Sequence, residues 1–208
     1  AIDIHVHPQT AEFVRGMGAR RKQMAGHLKK ERPAISFESL AEIYESRSMM
    51  AVLLNSDDET RSGIAPASND LIGAAVGAHP AVFLPFCGID PWKGELAVAE
   101  IRRCHEEFGA IGVGELNPSR QKFRPDDPRF GPIWEACVEL GMVVMFHAGF
   151  PAGGAGTPGG MGYEIDLVRP VPYLNRLAAR YPELTIIGAH PGWPWHLENL
   201  AVAQHKAN

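Results

Sequence analysis

Cysteine is scarce in this sequence, and its arrangement excludes two kinds of protein. The chain of 208 residues holds three cysteines, Cys87, Cys104 and Cys137. They form neither a closely spaced pair of the kind that binds zinc nor the dense, even pattern of a disulfide-stabilised secreted domain. We therefore expect reduced, mostly buried cysteines and a fold that depends on its hydrophobic core.

Long hydrophobic runs and an excess of positive charge are also missing. No apolar run approaches the roughly 20 residues of a membrane span, and the N-terminus lacks a basic region followed by an apolar signal segment. The formal net charge of -4 gives no general signature of nucleic-acid binding. We expect a cytoplasmic protein that binds neither membranes nor nucleic acids.

Hydrophobic residues make up 45% of the sequence and gather in six short runs that alternate with helical patterns. The runs cover residues 1–7, 49–55, 82–89, 110–116, 142–148 and 184–189. The helical patterns cover residues 36–46, 95–108, 127–140 and 171–181. Most runs are apolar on both faces, which is typical of parallel strands covered by helices. The alternation predicts one α/β domain over residues 1–208, either a doubly wound sheet or a barrel.

The first strand carries polar residues at alternate positions. Asp3, His5 and His7 alternate with apolar residues, and alternate side chains of an extended strand share a face. Such a face is costly to bury without partners, whereas two neutral imidazoles at this spacing suit a divalent metal such as zinc. We predict that His5 and His7 are metal ligands oriented by Asp3; a structural role for them is the alternative.

Three further ionisable side chains lie where later strands end. His147 ends the fifth run, His190 follows the sixth, and Glu115 nearly ends the fourth. In a (β/α) barrel the chemistry collects at the carboxyl ends of several strands, so this distribution favours a barrel. His147 is the third candidate ligand. A histidine beside three ligands could act as a general acid or base at neutral pH.

Two segments interrupt the alternation. Residues 9–35 form a basic insertion, for which we weigh a solvated surface segment against a lid that attracts an anionic substrate, with Arg21 as a candidate substrate contact. Residues 149–164, "GFPAGGAGTPGGMGYE", are too rich in glycine and proline for regular structure. They follow His147 directly, so we expect them to line or cover the site, with disorder as the alternative.

The sequence "DIHVHP" at Asp3, together with the strand-ending His147 and the "AHPG" around His190, resembles the amidohydrolase superfamily in its amidohydrolase-2 branch. That branch contains aminocarboxymuconate-semialdehyde decarboxylase, γ-resorcylate decarboxylase and related hydrolases. The resemblance implies a distorted (β/α)8 TIM-type barrel, of which about six βα units are visible here. It implies a metal held by His5, His7, His147 and an eighth-strand aspartate outside this chain, with His190 catalytic. We expect a chain truncated at its C-terminus.

Glu115, in "GVGEL", leaves a second metal open. The motif also resembles the deoxyribonuclease-like branch of the superfamily, in which a fourth-strand glutamate bridges two metals. His190 would then be a ligand of the second metal together with Glu115. The alternative is a glutamate held by backbone groups or an arginine at the barrel mouth. One metal is the preferred prediction.

The predicted function is hydrolysis, in which a metal-activated water attacks the carbonyl of a small, anionic, aromatic carboxylic acid or derivative and His190 transfers protons. Three alternatives stay open: non-oxidative decarboxylation of an aromatic or enoic acid, a two-metal deoxyribonuclease-like hydrolase, and a non-catalytic metal-stabilised binding protein. Trp193 follows His190 closely and is a candidate for stacking on an aromatic substrate, although packing is the more common role of tryptophan. A homodimer is a further expectation.

Overall fold

The fold is built on six parallel strands, as the apolar runs predict. The computed structural model describes residues 1–29 and 33–208. Each strand pairs in parallel with the next one along the chain, so that the order in the sheet is β1-β2-β3-β4-β5-β6. The strands are β1 (Ile2–Val6), β2 (Met50–Leu53), β3 (Phe83–Cys87), β4 (Gly112–Leu116), β5 (Val143–His147) and β6 (Ile186–Ala189). Sequential pairing of this kind is the order of a barrel wall.

After each strand, the chain returns through one or more helices to the start of the next strand. They are α1 (Ala11–Gly16), α2 (Ala19–Leu28), α3 (Phe37–Glu45), α4 (Glu59–Ser62), α5 (Asp70–Ala78), α6 (Glu95–Phe108), α7 (Pro118–Gln121), α8 (Gly131–Glu139), α9 (Asn175–Arg180) and α10 (His196–His205). None of the helices in the described part of the chain is both long and apolar enough to cross a membrane.

Two helix predictions are confirmed in detail. Helix α6 has the predicted bounds, and Ser36 caps α3 by accepting a hydrogen bond from the Ser39 amide at 3.2 Å. The helix predicted over residues 171–181 is wrong at its start, because α9 begins only at Asn175. Val171 precedes Pro172 and is extended, with φ -103° and ψ 126°, since a proline disfavours the helical conformation of the residue before it.

The core lies mainly between the later strands and helices α6, α8 and α9. Its largest cluster includes Ile101 from α6, Trp134 from α8 and Phe146 from β5, all at most 1% exposed. The three cysteines are reduced and buried, as predicted. Strand β1 differs from the other strands, since Ile2 and Ile4 are 53% and 47% exposed at the edge of the sheet.

Gly114 allows β4 and β5 to approach each other beside Glu115. Its φ is 136°, and a Cβ added there would lie 2.6 Å from the Met145 carbonyl oxygen. An alanine would therefore meet both a strained backbone conformation and a fixed backbone atom.

We expect Gly114→Ala to lower the free energy of unfolding by about 2–5 kcal/mol, from backbone strain and overpacking together. The matched control is Gly77→Ala on α5, where no described atom lies within 4 Å of the added Cβ. That substitution should leave stability unchanged or raise it by up to ~1 kcal/mol. Urea denaturation of both variants measures the difference, and equal stabilities would contradict this account of Gly114.

Candidate metal centre

Four strands bring five ionisable side chains to the same edge of the sheet. His5 lies in β1 and His7 follows it, Glu115 lies in β4, His147 ends β5, and His190 comes directly after β6. Because the strands are parallel, these positions all lie at the carboxyl edge. Residues far apart in the sequence thus form one cluster, which we call the His-Glu centre.

Glu115 lies at the middle of the His-Glu centre. Its Oε1 is 2.9 Å from His147 Nδ1, 3.2 Å from His190 Nε2 and 3.6 Å from His5 Nε2. Its Oε2 is 3.4 Å from His7 Nε2. The carboxylate therefore contacts all four imidazoles, and the alternative of a glutamate held by an arginine or by backbone groups is not what the structure describes.

The imidazoles also contact one another. His5 Nε2 lies 3.0 Å from His7 Nε2, and His190 Nε2 lies 3.1 Å from His147 Nδ1. The ring centroid of His190 is 4.7 Å from that of His5 and 4.5 Å from that of His147. Nitrogen atoms of four imidazoles from three different segments consequently converge on one small volume.

Burial and the surrounding imidazoles act in opposite directions on Glu115. Burial is the largest effect and would raise the pKa of this carboxyl, which is 6% exposed. Hydrogen bonds from His147, His190 and His7 outweigh it and hold the pKa well below its ordinary value. The side chain is therefore an anionic oxygen donor in a buried place.

His5 is held in its neutral form. Burial, assisted by the neighbouring histidines and opposed by Glu115, lowers the pKa of His5 to about 4. Neutral imidazole is the form that binds metal ions. His5 therefore offers a lone pair at neutral pH without first losing a proton.

The donor set fits a divalent cation. Two groups of three residues have ligand atoms that all lie within 4.8 Å of one another: His5, His7 and Glu115, and Glu115, His147 and His190. Nitrogen and carboxylate oxygen are the donors of zinc and related ions. The buried Nε2 of His147 has no hydrogen-bond partner among the described residues, while its Nδ1 faces the centre.

Asp3 acts on the backbone of His5 and not on an imidazole. Its Oδ1 accepts a hydrogen bond from the His5 amide at 3.1 Å, and its Oδ2 accepts one from the Tyr44 hydroxyl at 2.8 Å. Burial, reinforced by Asp3, raises the pKa of Tyr44 to about 12. Asp3 thus connects β1 to α3 and fixes the strand that carries His5, an indirect form of the predicted orienting role.

The glycine-rich segment lies beside the His-Glu centre, as its position after His147 predicts. A Cβ added to Gly149, whose φ is 117°, would lie 2.9 Å from the Cα of Gly192. The segments that follow His147 and His190 therefore pass each other at close range. The segment is irregular, with positive φ at Gly159, Gly160 and Met161.

The basic insertion contacts this glycine-rich segment. Gln23 on α2 donates a hydrogen bond to the Ala155 carbonyl at 3.0 Å and accepts one from the Gly154 amide at 3.0 Å. Much of the insertion is helical, in α1 and α2, while residues 30–32, including the basic Lys30 and Arg32, lie outside the described residues. The two segments that interrupt the βα alternation thus meet each other.

The two predicted substrate contacts stay predictions. Trp193 is 62% exposed and makes an edge contact with Phe150, with ring centroids 5.5 Å apart. Arg21 lies on α2, and its side chain is half-buried. Neither residue belongs to the two groups that could hold an ion.

Comparison with known proteins assigns the fold family. The family model described as "Amidohydrolase" matches residues 2–208. The chain belongs to this amidohydrolase family. The resemblance carried by the "DIHVHP", His147 and His190 segments is thereby confirmed, and with it an enzyme family.

One curated relative and two solved structures illustrate this family membership. The 2-amino-3-carboxymuconate-6-semialdehyde decarboxylase of Dictyostelium discoideum is 28% identical over 131 residues, which are 60% of this chain and 36% of that protein. A TIM-barrel protein from Bordetella bronchiseptica has a TM-score of 0.70 at 21% identity, with 100% of this chain and 72% of that chain covered. A 5-carboxyvanillate decarboxylase from Novosphingobium aromaticivorans, complexed with manganese and 4-hydroxy-3-methoxy-5-nitrobenzoic acid, has a TM-score of 0.67 at 19% identity, with 99% and 69% covered.

These likenesses confirm the fold class. Six consecutive parallel strands with helical connections form part of a (β/α) barrel. The match spans about a third of the curated relative's length, so the activity of the whole protein is a matter for proposal.

Proposed function

We propose that this chain catalyses the metal-dependent, non-oxidative decarboxylation of a small aromatic or enoic carboxylic acid. The observation that carries this proposal is the convergence of four imidazoles on one buried carboxylate at the carboxyl edge of the sheet. The names of the relatives favour decarboxylation over the hydrolysis that the sequence suggested, since the curated relative and several similar structures are called decarboxylases.

His5, His7 and His147 would hold the divalent cation, with zinc as the first candidate and manganese as the ion named in one similar structure. When bound, the cation supplies Lewis-acid polarisation of a substrate oxygen. In the two-metal alternative, Glu115 and His190 hold a second ion. Neither group joins His147 to His5 and His7, whereas Glu115 belongs to both groups, so Glu115 is a candidate ligand in either stoichiometry.

His190 is the proposed proton donor. It lies at the mouth of the centre with its side chain 42% exposed, whereas the side chain of His147 is 10% exposed. In the reaction the protonated imidazole transfers its proton to the substrate carbon that bears the carboxylate. The bond between that carbon and the carboxylate then breaks, its electron pair returns to the substrate, and CO2 leaves. His190 regains its proton from solvent.

The described residues of the basic insertion, which include α1 and α2, serve in this proposal as a lid over the His-Glu centre. The support is the pair of hydrogen bonds between Gln23 and the segment that follows His147, one donated by Gln23 and one accepted by it. Exclusion of water would favour protonation of carbon and suppress hydrolysis.

The cytoplasmic location and the homodimer stay predictions.

Hydrolysis is the second candidate function, favoured by the family's own description as amidohydrolases. The same donor groups could activate water instead of protonating carbon. The two reactions differ in their products, because decarboxylation removes CO2 from the acid while hydrolysis adds water across a carbonyl derivative. A binding protein without catalytic function would produce neither change.

The product test uses purified protein supplied with zinc or manganese. Incubation with 5-carboxyvanillate, 2,6-dihydroxybenzoate and an enoic dicarboxylic acid should release CO2 from at least one of them. Mass spectrometry should detect the corresponding product. Amides of the same acids test the rival reaction, because their cleavage with uptake of one water would support hydrolysis. Metal-loaded protein that turns over none of the acids would contradict the proposal.

A further inference from the structure

A cavity opens at the carboxyl edge of the sheet, the edge that carries the His-Glu centre. It has a volume of about 360 Å³, and none of the five residues of the centre lines it. Its walls come from segments that follow β1, β2, β4 and β5, represented by Met17, Arg61, Arg120 and Tyr163. In a barrel, the segments that follow the strands are those that bind substrate. We call this cavity the basic pocket.

The formal charge of the basic pocket is positive. Arg61, Arg120 and Lys122 line it, against Asp58 as the acidic residue of the lining. Arg120 Nε lies 3.4 Å from Asp58 Oδ2, so this pair neutralises itself in part. Glu164 lies beside the lining, with its Oε1 2.6 Å from Lys122 Nζ, so formal charges of +3 and -2 leave +1 on a protein whose net charge is -4. A local excess of this kind attracts anions.

The cations of the basic pocket are held in place by neighbouring groups. The Arg61 guanidinium lies over the Trp92 ring, 4.6 Å from its centroid, and the Lys122 Nζ lies 2.6 Å from Glu164 Oε1. Asn117 caps α7 by accepting a hydrogen bond from the Arg120 amide at 3.0 Å, which fixes the backbone that carries Arg120. Groups that are already positioned lose less conformational entropy when they bind a ligand.

Apart from Ser62, the rest of the lining is apolar or aromatic. Met17, Ile64, Met161 and Tyr163 contribute surface to the cavity beside the three cations. A cavity of this size, with apolar walls and a few polar groups on one side, suits a small organic molecule. Methionine and tyrosine side chains pack well against a flat ring or an unsaturated chain.

We propose that the basic pocket binds the carboxylate of a small aromatic or unsaturated acid, with Arg61 and Lys122 as the contacts that decide affinity. The planar guanidinium matches a carboxylate with two parallel hydrogen bonds, and the apolar walls distinguish an organic acid from an inorganic anion. This proposal rests on the proposed function in identifying the acid as the enzyme's substrate. The predicted contact of Arg21 with an anionic substrate stays a separate prediction.

The test is equilibrium binding of isophthalate, an aromatic dicarboxylate, to the metal-loaded protein by titration calorimetry. Arg61→Gln and Lys122→Gln should each raise the Kd about tenfold or more, because each removes a charged hydrogen-bond donor. The matched control is Arg102→Gln on the outer face of α6, whose guanidinium pairs with Glu139. It should change the Kd less than about twofold. Thermal unfolding verifies that all variants are folded.

Three outcomes would overturn the proposal: no saturable binding of isophthalate to the wild type, pocket variants that bind like the control, or inorganic phosphate bound as tightly with the same dependence on Arg61 and Lys122. The last result would identify a general anion site. Binding does not require turnover. Protein that binds isophthalate through the pocket but releases no CO2 from any acid would therefore contradict the proposed function alone.

Discussion

Simultaneous replacement of His5 and His7 by alanine is expected to remove the bound divalent metal and to reduce turnover by about 1000-fold or more. Both Nε2 atoms face the Glu115 carboxylate, at 3.6 and 3.4 Å, and they lie 3.0 Å from each other. The double variant deletes two of the proposed ligands and leaves a site with too few donors. The loss of the several kcal/mol that Lewis-acid polarisation supplies corresponds to at least three factors of ten in rate.

The matched control is a second double histidine variant, His196→Ala with His205→Ala. These two residues begin and end α10, and both are exposed. The control should keep the metal content and the activity of the wild type. Elemental analysis of both folded proteins decides the matter, and wild-type metal content in the His5 and His7 variant would refute the assignment of these residues as ligands.

The strand pattern and the first metal motif could be predicted because each depends on local sequence. All six predicted runs contain a strand, and His147 ends β5 as expected. The alternation of Asp3, His5 and His7 with apolar residues is a property of a single strand. Parallel pairing then places the ends of all strands at one edge, so the meeting of these residues follows from the fold class alone.

The role of Glu115 could not be decided in this way. The sequence places it at the end of β4, but its contacts with His5, His7, His147 and His190 depend on residues from three other strands. Its buried carboxylate is stable because those imidazoles compensate for lost hydration, a balance that no local pattern reveals. Gly114, directly before Glu115, is a partial signal in the sequence, because a glycine in a strand indicates a close approach of another backbone. Here β4 and β5 approach closely at Gly114.

The basic pocket had a weaker signal still. The sequence predicts the anion contact from the basic residues in positions 9–35. The cations that line the cavity are instead Arg61, Arg120 and Lys122, from two other segments. Each is a single charged residue in an unremarkable stretch of sequence. The capping motif at Asn117, which starts the short helix leading to Arg120, could have shown only that a turn there has a fixed backbone.

Replacement of His190 by asparagine is expected to lower kcat by about 100-fold to 10,000-fold while the metal is retained, the range for loss of general acid or base assistance. His190 is the most exposed imidazole of the later strands in the centre, and its Nε2 lies 3.2 Å from Glu115 Oε1. An asparagine keeps a polar side chain there but cannot deliver a proton at neutral pH. This variant should therefore keep its metal and lose most of its activity.

The two-metal alternative predicts a different result, because His190 and Glu115 are then ligands of the second ion. In that case His190→Asn and Glu115→Gln should each lower the metal content by one ion per folded chain. Glu115→Gln retains the shape of the buried side chain, and circular dichroism identifies any variant that has unfolded. Loss of one ion in both variants would overturn the one-metal proposal. Unchanged metal in both variants, with turnover suppressed in the His190 variant, would support proton transfer by His190, because removal of a ligand of the second ion should lower the metal content.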